Sequence, residues 1–450
     1  VDNAGWEVRD PLSSEQTGER SPLVLARPEH QLSRRGISAN ALKVLYRLHH
    51  SGYLAYLVGG GVRDLLLGGR PKDFDVVTNA RPQEIRRLFR NSRVIGRRFR
   101  LVHVVFRGEV VEVSTFRASP EPPESPEDWE DASPHEEPAV EVRGEEEVFG
   151  TPAEDARRRD FTVNALFYDI SDFSIIDFVG GIRDLDARVL RTIGPPEQRF
   201  VEDPVRMMRA LEYSVRLGFE LEPETAAALE RTSPLIREAA PARLTYELVE
   251  ALHTGHAAAI VDQWQRFGLW ARAFPNLPAG PSLGPVLEEL DRRLASGERP
   301  SDPVVLGVLF LPRYHEMMQS MAGDGRRLDN VRVIQGLRDL LEPAGAPMHL
   351  SNHNVHLIHH GLFTMTKLRR PPERGRQVVK LSRQEFFPVA WDLARIGAAV
   401  GMLSPDAWAA WSKAVAQVRA RGSEAEIDVV VDPVARTRRR RRRRGRRKKE

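Results

Sequence analysis

The sequence predicts an α+β protein: a small mixed-sheet head followed by an all-helical neck and body. Three observations carry that prediction. Between residues 53 and 116, "YLAYLV", "DFDVVT", "RLVHVVF" and "VVEVSTF" read as short strands, the last two by apolar–polar alternation. Helical patterns such as "RPQEIRRLFR" fall between them, so the sheet is mixed. From Glu202 to about Arg421 only helical periodicity remains, as in "PVRMMRALEYSVRLG" and "PARLTYELVEALHTG".

Each element follows from local chemistry. Residues 1–35 are polar, lack periodicity and read as a disordered N-terminal segment. "SANALKVLYRLHHSG" reads as a helix capped by Ser38 and stopped near Gly52. "YLAYLV" then leads into three glycines, "VRDLLLG" reads as a short helix, and Pro82 opens the first turn of the next one. "LFYDI" and "SIIDFV" form a hairpin that closes a head spanning 36–185. Within it, 118–147 is acidic and Pro-rich, cannot bury much, and reads as a flexible loop. A helical neck spans 186–255 and a helical body 256–425. Residues 426–450 form a disordered Arg-rich tail.

Composition narrows the class. The 450 residues are 41% hydrophobic, enough for a core in two or three domains. No apolar run approaches roughly 18 residues, so no membrane partner or span is expected. The N-terminus lacks a basic region followed by an apolar stretch, so a signal peptide is not expected. There is no cysteine, which excludes disulfides, thiolate zinc sites and cysteine nucleophiles and fits a cytoplasmic protein. The net charge of +4 conceals a net of +11 in Arg436–Glu450 and of −11 in Ala118–Glu147.

The chemistry concentrates in "LVGGGVRDLLLGGRPKDFD" at 57–75. Asp73 and Asp75, at i and i+2 on a strand, would point to one face and repel unless a cation lies between them. Mg²⁺ suits such a pair, because it prefers carboxylates together with substrate phosphates. Gly59 and Gly60 end a strand and open a helix, where backbone N–H groups and Arg63 can face a polyphosphate. The alternative is a tight strand–helix turn whose arginine pairs with Asp64. The segment is neither a P-loop nor a good dinucleotide fingerprint.

"LVGGGVRDLLLG" with "PKDFDVVTNA" resembles the first motif of the nucleotidyltransferase superfamily, in the class shared by bacterial poly(A) polymerases and CCA-adding enzymes. "RRRDFTVNALFYD" (157–169) resembles the second motif and "EDPVRMMRALEYSVRLGF" (202–219) the neck motif. The resemblance implies a nucleotidyltransferase head and a two-metal reaction in which an RNA 3′-OH attacks the α-phosphorus of a nucleoside triphosphate. It places the metals on Asp73 and Asp75. Glu112, whose neighbours Val111 and Val113 point the other way, either completes the metal site or is a solvent-facing glutamate. Arg63 and Lys72 are candidates for the triphosphate. Asp160 is put forward as catalytic, with Arg158, Arg159 and Asn164 beside it for phosphate or ribose; the plain alternative makes Asp160 a helix cap followed by Phe161.

Asp203 has two readings. "EDPVR" is an ordinary helix start, with Asp203 as N-cap, Pro204 at the first position and Arg206 as an i+3 partner. The resemblance instead has Asp203 and Arg206 read the base of the incoming nucleotide, with Arg209 one turn on. "HLSNHNVHLIHHG" places His353, His356 and His360 on one helical face. No carboxylate accompanies them, so they read as helix-packing or RNA-facing histidines rather than a zinc site. The tail "RTRRRRRRRGRRKKE" reads as a nucleic-acid arm with little sequence preference.

"VGGGVRD", "GRRFRLVHVVF" (96–106) and the basic tail resemble the poly(A) polymerase form. The expected activity is addition of AMP from ATP to RNA 3′ ends, with Mg²⁺ as cofactor and RNA-decay proteins as partners. The alternative is a CCA-adding tRNA nucleotidyltransferase. A catalytically silent RNA-binding protein would be expected to have a damaged aspartate pair. A nucleotide-dependent oxidoreductase leaves Asp73, Asp75 and the tail unexplained.

Overall fold

The computed structural model describes residues 21–95, 101–117, 149–323, 329–345 and 348–421. The acidic loop 118–147, the tail 426–450 and residues 96–100 of the "GRRFRLVHVVF" stretch therefore lie outside the described residues. The chain divides into two compact units, Val1–Gly194 and Pro195–Glu450. The division falls later than the head boundary expected at 185. Residues 191–193 are tied back to the head: Thr162 N–H donates to the Arg191 carbonyl (3.0 Å) and Ile193 N–H to that of Asp160 (3.1 Å).

The first unit runs β1 (Leu23–Leu25), α1 (Ala39–His50), β2 (Ala55–Val58), α2 (Gly60–Leu66), β3 (Asp75–Thr78), α3 (Pro82–Leu88), β4 (Ser92–Ile95), β5 (Leu101–Phe106), β6 (Glu109–Thr115), α4 (Pro152–Arg158), β7 (Leu166–Asp169), β8 (Ile175–Asp177), α5 (Gly181–Ala187) and β9 (Val189–Leu190). Eight strands form one sheet in the order β1-β8-β7-β2-β3-β6-β5-β4. Every neighbouring pair is antiparallel except β3–β6. A parallel pair needs a crossover, and α3, β4 and β5 occupy it. The sheet is mixed, as expected.

Local expectations hold for α1, whose Ser38 Oγ accepts from Ala41 N–H at 3.0 Å, and for Pro82 as the first residue of α3. Of the N-terminal segment expected to be disordered, residues 1–20 lie outside the described residues and residues 21–35 depart from expectation. Within 1–35, β1 adds to the sheet edge against β8, and Leu32 is fully buried. The run "LVL" is too short to stand out from its polar neighbours. Pairing with an existing edge orders it.

Side chains alternate across a strand, so the register decides what shares a face. One face carries Tyr56, Val58, Val77 and Phe167, which cluster with Ala156 of α4. Leu57 and Val76 alternate to the other side and are also buried, and α1 packs against β2, β3 and β6.

The second unit is helical, as expected: α6 (Pro196–Glu202), α7 (Val205–Leu217), α8 (Pro223–Thr232), α9 (Pro241–Leu252), α10 (Ala257–Arg266), α11 (Leu269–Ala273), α12 (Gly284–Ala295), α13 (Asp302–Val308), α14 (Leu311–Gly323), α15 (Asn330–Gly345), α16 (Asn352–Leu368), α17 (Gly375–Ser382), α18 (Phe387–Ala399) and α19 (Pro405–Arg421). Trp264, Trp270 and Trp411 are buried in it, and the Trp264 indole N–H donates to the Met208 carbonyl (3.1 Å). Among the described residues no helix is long and apolar enough to cross a membrane.

Candidate active site

The site begins where β2 stops. Gly59 follows Val58 with φ +72° and ψ −142°, a conformation that L side chains avoid. A Cβ there would sit 3.2 Å from the Arg159 Nη1 and 3.8 Å from the Asp75 Oδ2. The glycine is thus required by its backbone and by close approach, and it brings the turn against Asp75 and Arg159.

Asp75 is the first residue of β3. Asp73 is exposed and lies in the lead-in rather than on the strand, so the two aspartates do not share one pleat as the i, i+2 pattern predicts. In the parallel β3–β6 register Asp75 faces Glu112, and Glu112 faces His103 in the antiparallel β5–β6 register. A polar row, His103–Glu112–Asp75, therefore crosses the sheet and turns apolar at Val58 and Phe167. Glu112 alternates with buried Val111 and Val113, as expected, and pairs with His103 at 3.2 Å. Burial pushes the Asp75 carboxyl up to about 6. The Glu112 and Asp73 carboxylates add to that push, and Arg159 opposes it.

A cavity of about 300 Å³ opens here, lined among others by Asp75, Glu112, Ser114, Arg117, Arg158 and Arg159. Arg159 is braced by Asp155 one helical turn back (Nη2–Oδ2 3.0 Å) and lies over the Phe167 ring at 5.6 Å. Arg117, Ser114 and Asp155 were not among the expected site residues. The i, i+4 spacing of Asp155 and Arg159 and the parity of Ser114 with Glu112 were signals available for two of them.

Other expected residues lie elsewhere. Arg63 was expected to face a triphosphate. It is buried, with Nε donating to Asp64 Oδ1 at 2.8 Å and Nη1 donating to Asn164 Oδ1. Its place on α2 turns it inward, and the pairing with Asp64 weighed as the alternative is the one observed. Asn164, expected near phosphate or ribose, is also buried, and its Nδ2 donates to Asp160 Oδ1 at 3.0 Å. Asp160 also accepts from the N–H of its neighbour Phe161 at 2.8 Å, and it does not line the cavity. The chain Asp64–Arg63–Asn164–Asp160 thus bolts the glycine turn to the second motif. Lys72 is exposed beside Asp73, and Gly60 opens α2.

In the second unit, Asp203 closes α6 in an extended conformation, Pro204 after it is already helical, and the Asp203 Oδ1 accepts from Val205 N–H at 3.3 Å, the capping bond expected at the start of α7. The two oxygens of its carboxylate each accept from one arm of the Arg243 fork, both at 2.8 Å. Arg206 pairs with Glu202 (2.9 Å) and with the Arg199 carbonyl (2.8 Å), not with Asp203 as the i+3 spacing predicts. A second helix immediately upstream supplies these nearer acceptors. Arg209 bonds Glu247 (3.3 Å) and the Tyr213 hydroxyl (2.6 Å).

The donor set suits a divalent cation. Asp75 carries a desolvation and like-charge penalty that a cation between it and its neighbours would relieve. No three His, Asp or Glu residues converge into a ready cage among the described residues, so substrate phosphates would complete the shell.

Strand-end carboxylates against a glycine turn, with arginines on the cavity wall, define a nucleotidyltransferase head. The comparisons agree. Residues 55–191 match the family model "Poly A polymerase head domain" and residues 218–279 match "Probable RNA and SrmB- binding site of polymerase A". The chain is 38% identical over 403 residues to Poly(A) polymerase I of Salmonella typhi, covering 87% of this chain and 85% of that protein. It is 39% identical over 214 residues to the CCA-adding enzyme of Bacillus pumilus, about half of each chain (47% and 49%). Among solved structures, the CTP complex of the Bacillus stearothermophilus CCA-adding enzyme is 27% identical with a TM-score of 0.54, covering 84% of this chain and 82% of that one. The chain belongs to the poly(A) polymerase family.

Proposed function

We propose that this enzyme, a polynucleotide adenylyltransferase, adds AMP from ATP to RNA 3′ ends without a template. The observation that carries the reading is the Asp75–Glu112 register beside Gly59, in a chain that spans most of a poly(A) polymerase. Asp73 and Asp75, with Glu112 beside them, would hold Mg²⁺, which supplies activation of the attacking oxygen and neutralisation of the leaving pyrophosphate. Arg117, Arg158 and Arg159 hold the triphosphate in the cavity. Lys72 adds positive charge at its exposed approach. Arg63, Asn164 and Asp160 keep the glycine turn in register with that wall rather than touching phosphate. Asp203, Arg206 and Arg209 take the base edge, with Arg243 fixing the Asp203 carboxylate in one plane. Residues 218–279 contact RNA and RNA-decay proteins, and the cytoplasm supplies both.

The CCA-adding alternative has a specific observation behind it, the 39% identity to such an enzyme over 214 residues. One experiment separates the two. The protein is incubated with Mg²⁺ and an unstructured RNA, with ATP or CTP supplied separately, and then with a tRNA lacking its 3′ end. Long A-tails on plain RNA are expected. Addition confined to the tRNA, using both CTP and ATP, overturns the reading.

A further inference from the structure

The body carries a feature that the catalytic reading does not use. On α16, His356 is exposed and its ring lies 4.2 Å from that of His360. His360 stacks in turn on Phe386 at 5.1 Å, with the planes 21° apart. Phe386 is the N-cap of α18, the helix that packs along α16. The three rings make a short column whose outer end is open to solvent. Burial, His356 and Lys367 push the His360 imidazole down, so its ring is a neutral, flat surface near neutral pH.

The charge around this column is predominantly positive. Between Ser351 and Phe386 there are seven Arg or Lys and two Glu, and α16 contains no acid. Lys367, Arg370, Arg374, Arg376, Lys380 and Arg383 are all exposed. Glu373 and Glu385 are the two acids, both exposed. Arg383 lies three residues before Phe386, so cationic surface and ring column adjoin. A solvated ring column beside exposed cations has the chemistry of single-strand nucleic-acid sites, in which bases stack and phosphates are neutralised. A metal would want carboxylates or further ligands, and no such cluster is present among the described residues.

We propose that the His356–His360–Phe386 column, flanked by the exposed cations of α16 and α17, is a stacking site for an unpaired base of single-stranded RNA. The site anchors RNA away from the reacting end, and it rests on the reading above that RNA is the substrate.

The test is equilibrium binding of fluorescein-labelled oligo(A), 20 nucleotides long, alongside AMP-addition kinetics. His356→Ala, which removes only an exposed ring, is expected to weaken oligo(A) binding by about tenfold. The KM for RNA should rise to match, while the KM for ATP and kcat at saturating RNA stay unchanged. His356→Tyr, which keeps a flat ring, should restore binding. Lys380→Glu with Arg383→Glu should weaken binding and flatten its salt dependence. An oligo(A) carrying 2-aminopurine should lose its binding-induced quenching in His356→Ala but keep it in His356→Tyr. If His356→Ala binds and extends oligo(A) as the wild type does, the stacking site is overturned while the adenylyltransferase reading stands. If the wild-type protein extends no RNA at all, that reading fails first.

Discussion

At the scale of single residues, Asp75 shows how a proposed metal-binding position is made from ordinary parts. Its carboxyl is desolvated at a strand end and faces Glu112 across a parallel pair. A carboxyl whose pKa is raised by folding binds its proton more tightly in the folded chain. Its contribution to stability is therefore complete below 3.8 and lost as pH rises through about 6. Asp75→Asn should abolish AMP addition yet raise stability at pH 7 by about 1–2 kcal/mol, seen as a higher Tm that vanishes near pH 4. Mn²⁺ should raise the Tm of the wild type and not that of the variant. Arg63 behaves in the opposite way. Its charge is buried and satisfied, so Asn164→Ala should cost about 3 kcal/mol by leaving a guanidinium N–H without its acceptor. Urea unfolding checks the loss, and activity should fall with it.

At the scale of elements, the neck differs most from its local sequence signals. "EDPVR" reads as a capped helix start with an internal ion pair; the Asp203 cap bond to Val205 N–H is present, but α6 supplies Glu202 to Arg206 in place of the internal pair. A second partner of Asp203 comes from α9, forty residues on. The Arg243–Asp203 pair is more than half exposed on the arginine side (55%), so Arg243→Ala should change stability by less than about 1 kcal/mol. It should nonetheless raise the KM for ATP severalfold, because the Asp203 carboxylate is then oriented by the Val205 N–H on one oxygen alone. Steady-state kinetics beside a thermal melt separate the two effects. An unchanged KM would make the pair a surface ion pair and nothing more.

At the scale of the molecule, the tail supplies a charge that the described units do not need for folding. Removing residues 436–450 should leave the Tm unchanged while reducing the salt slope of RNA binding by several units, since twelve cations leave with it. Much of this architecture was legible in advance, because alternation and helical period are local properties. The strands flanking the glycines, the Asp75 position, the parity of Glu112 and the helical second unit all follow from spacing. The bond from Arg63 to Asn164 and the Arg243 fork on Asp203 do not, because each depends on a partner distant in sequence. Asn164 is 101 residues from Arg63. Strand β1 was hidden for a related reason, as only the edge of β8 gives three residues cause to order.

The one parallel pair in the sheet also sets a timetable for synthesis. As a chain leaves the ribosome, Asp73 and Asp75 emerge early, but β3 cannot meet Glu112 until α3, β4 and β5 have been threaded between them. Arg159 and the β7 partner of Val58 come later still, beyond the acidic segment. Contacts so far apart in sequence close slowly. A growing or truncated chain that ends short of Arg158 therefore holds its aspartates without Arg158 and Arg159, the residues proposed to hold phosphate, and it should consume no ATP.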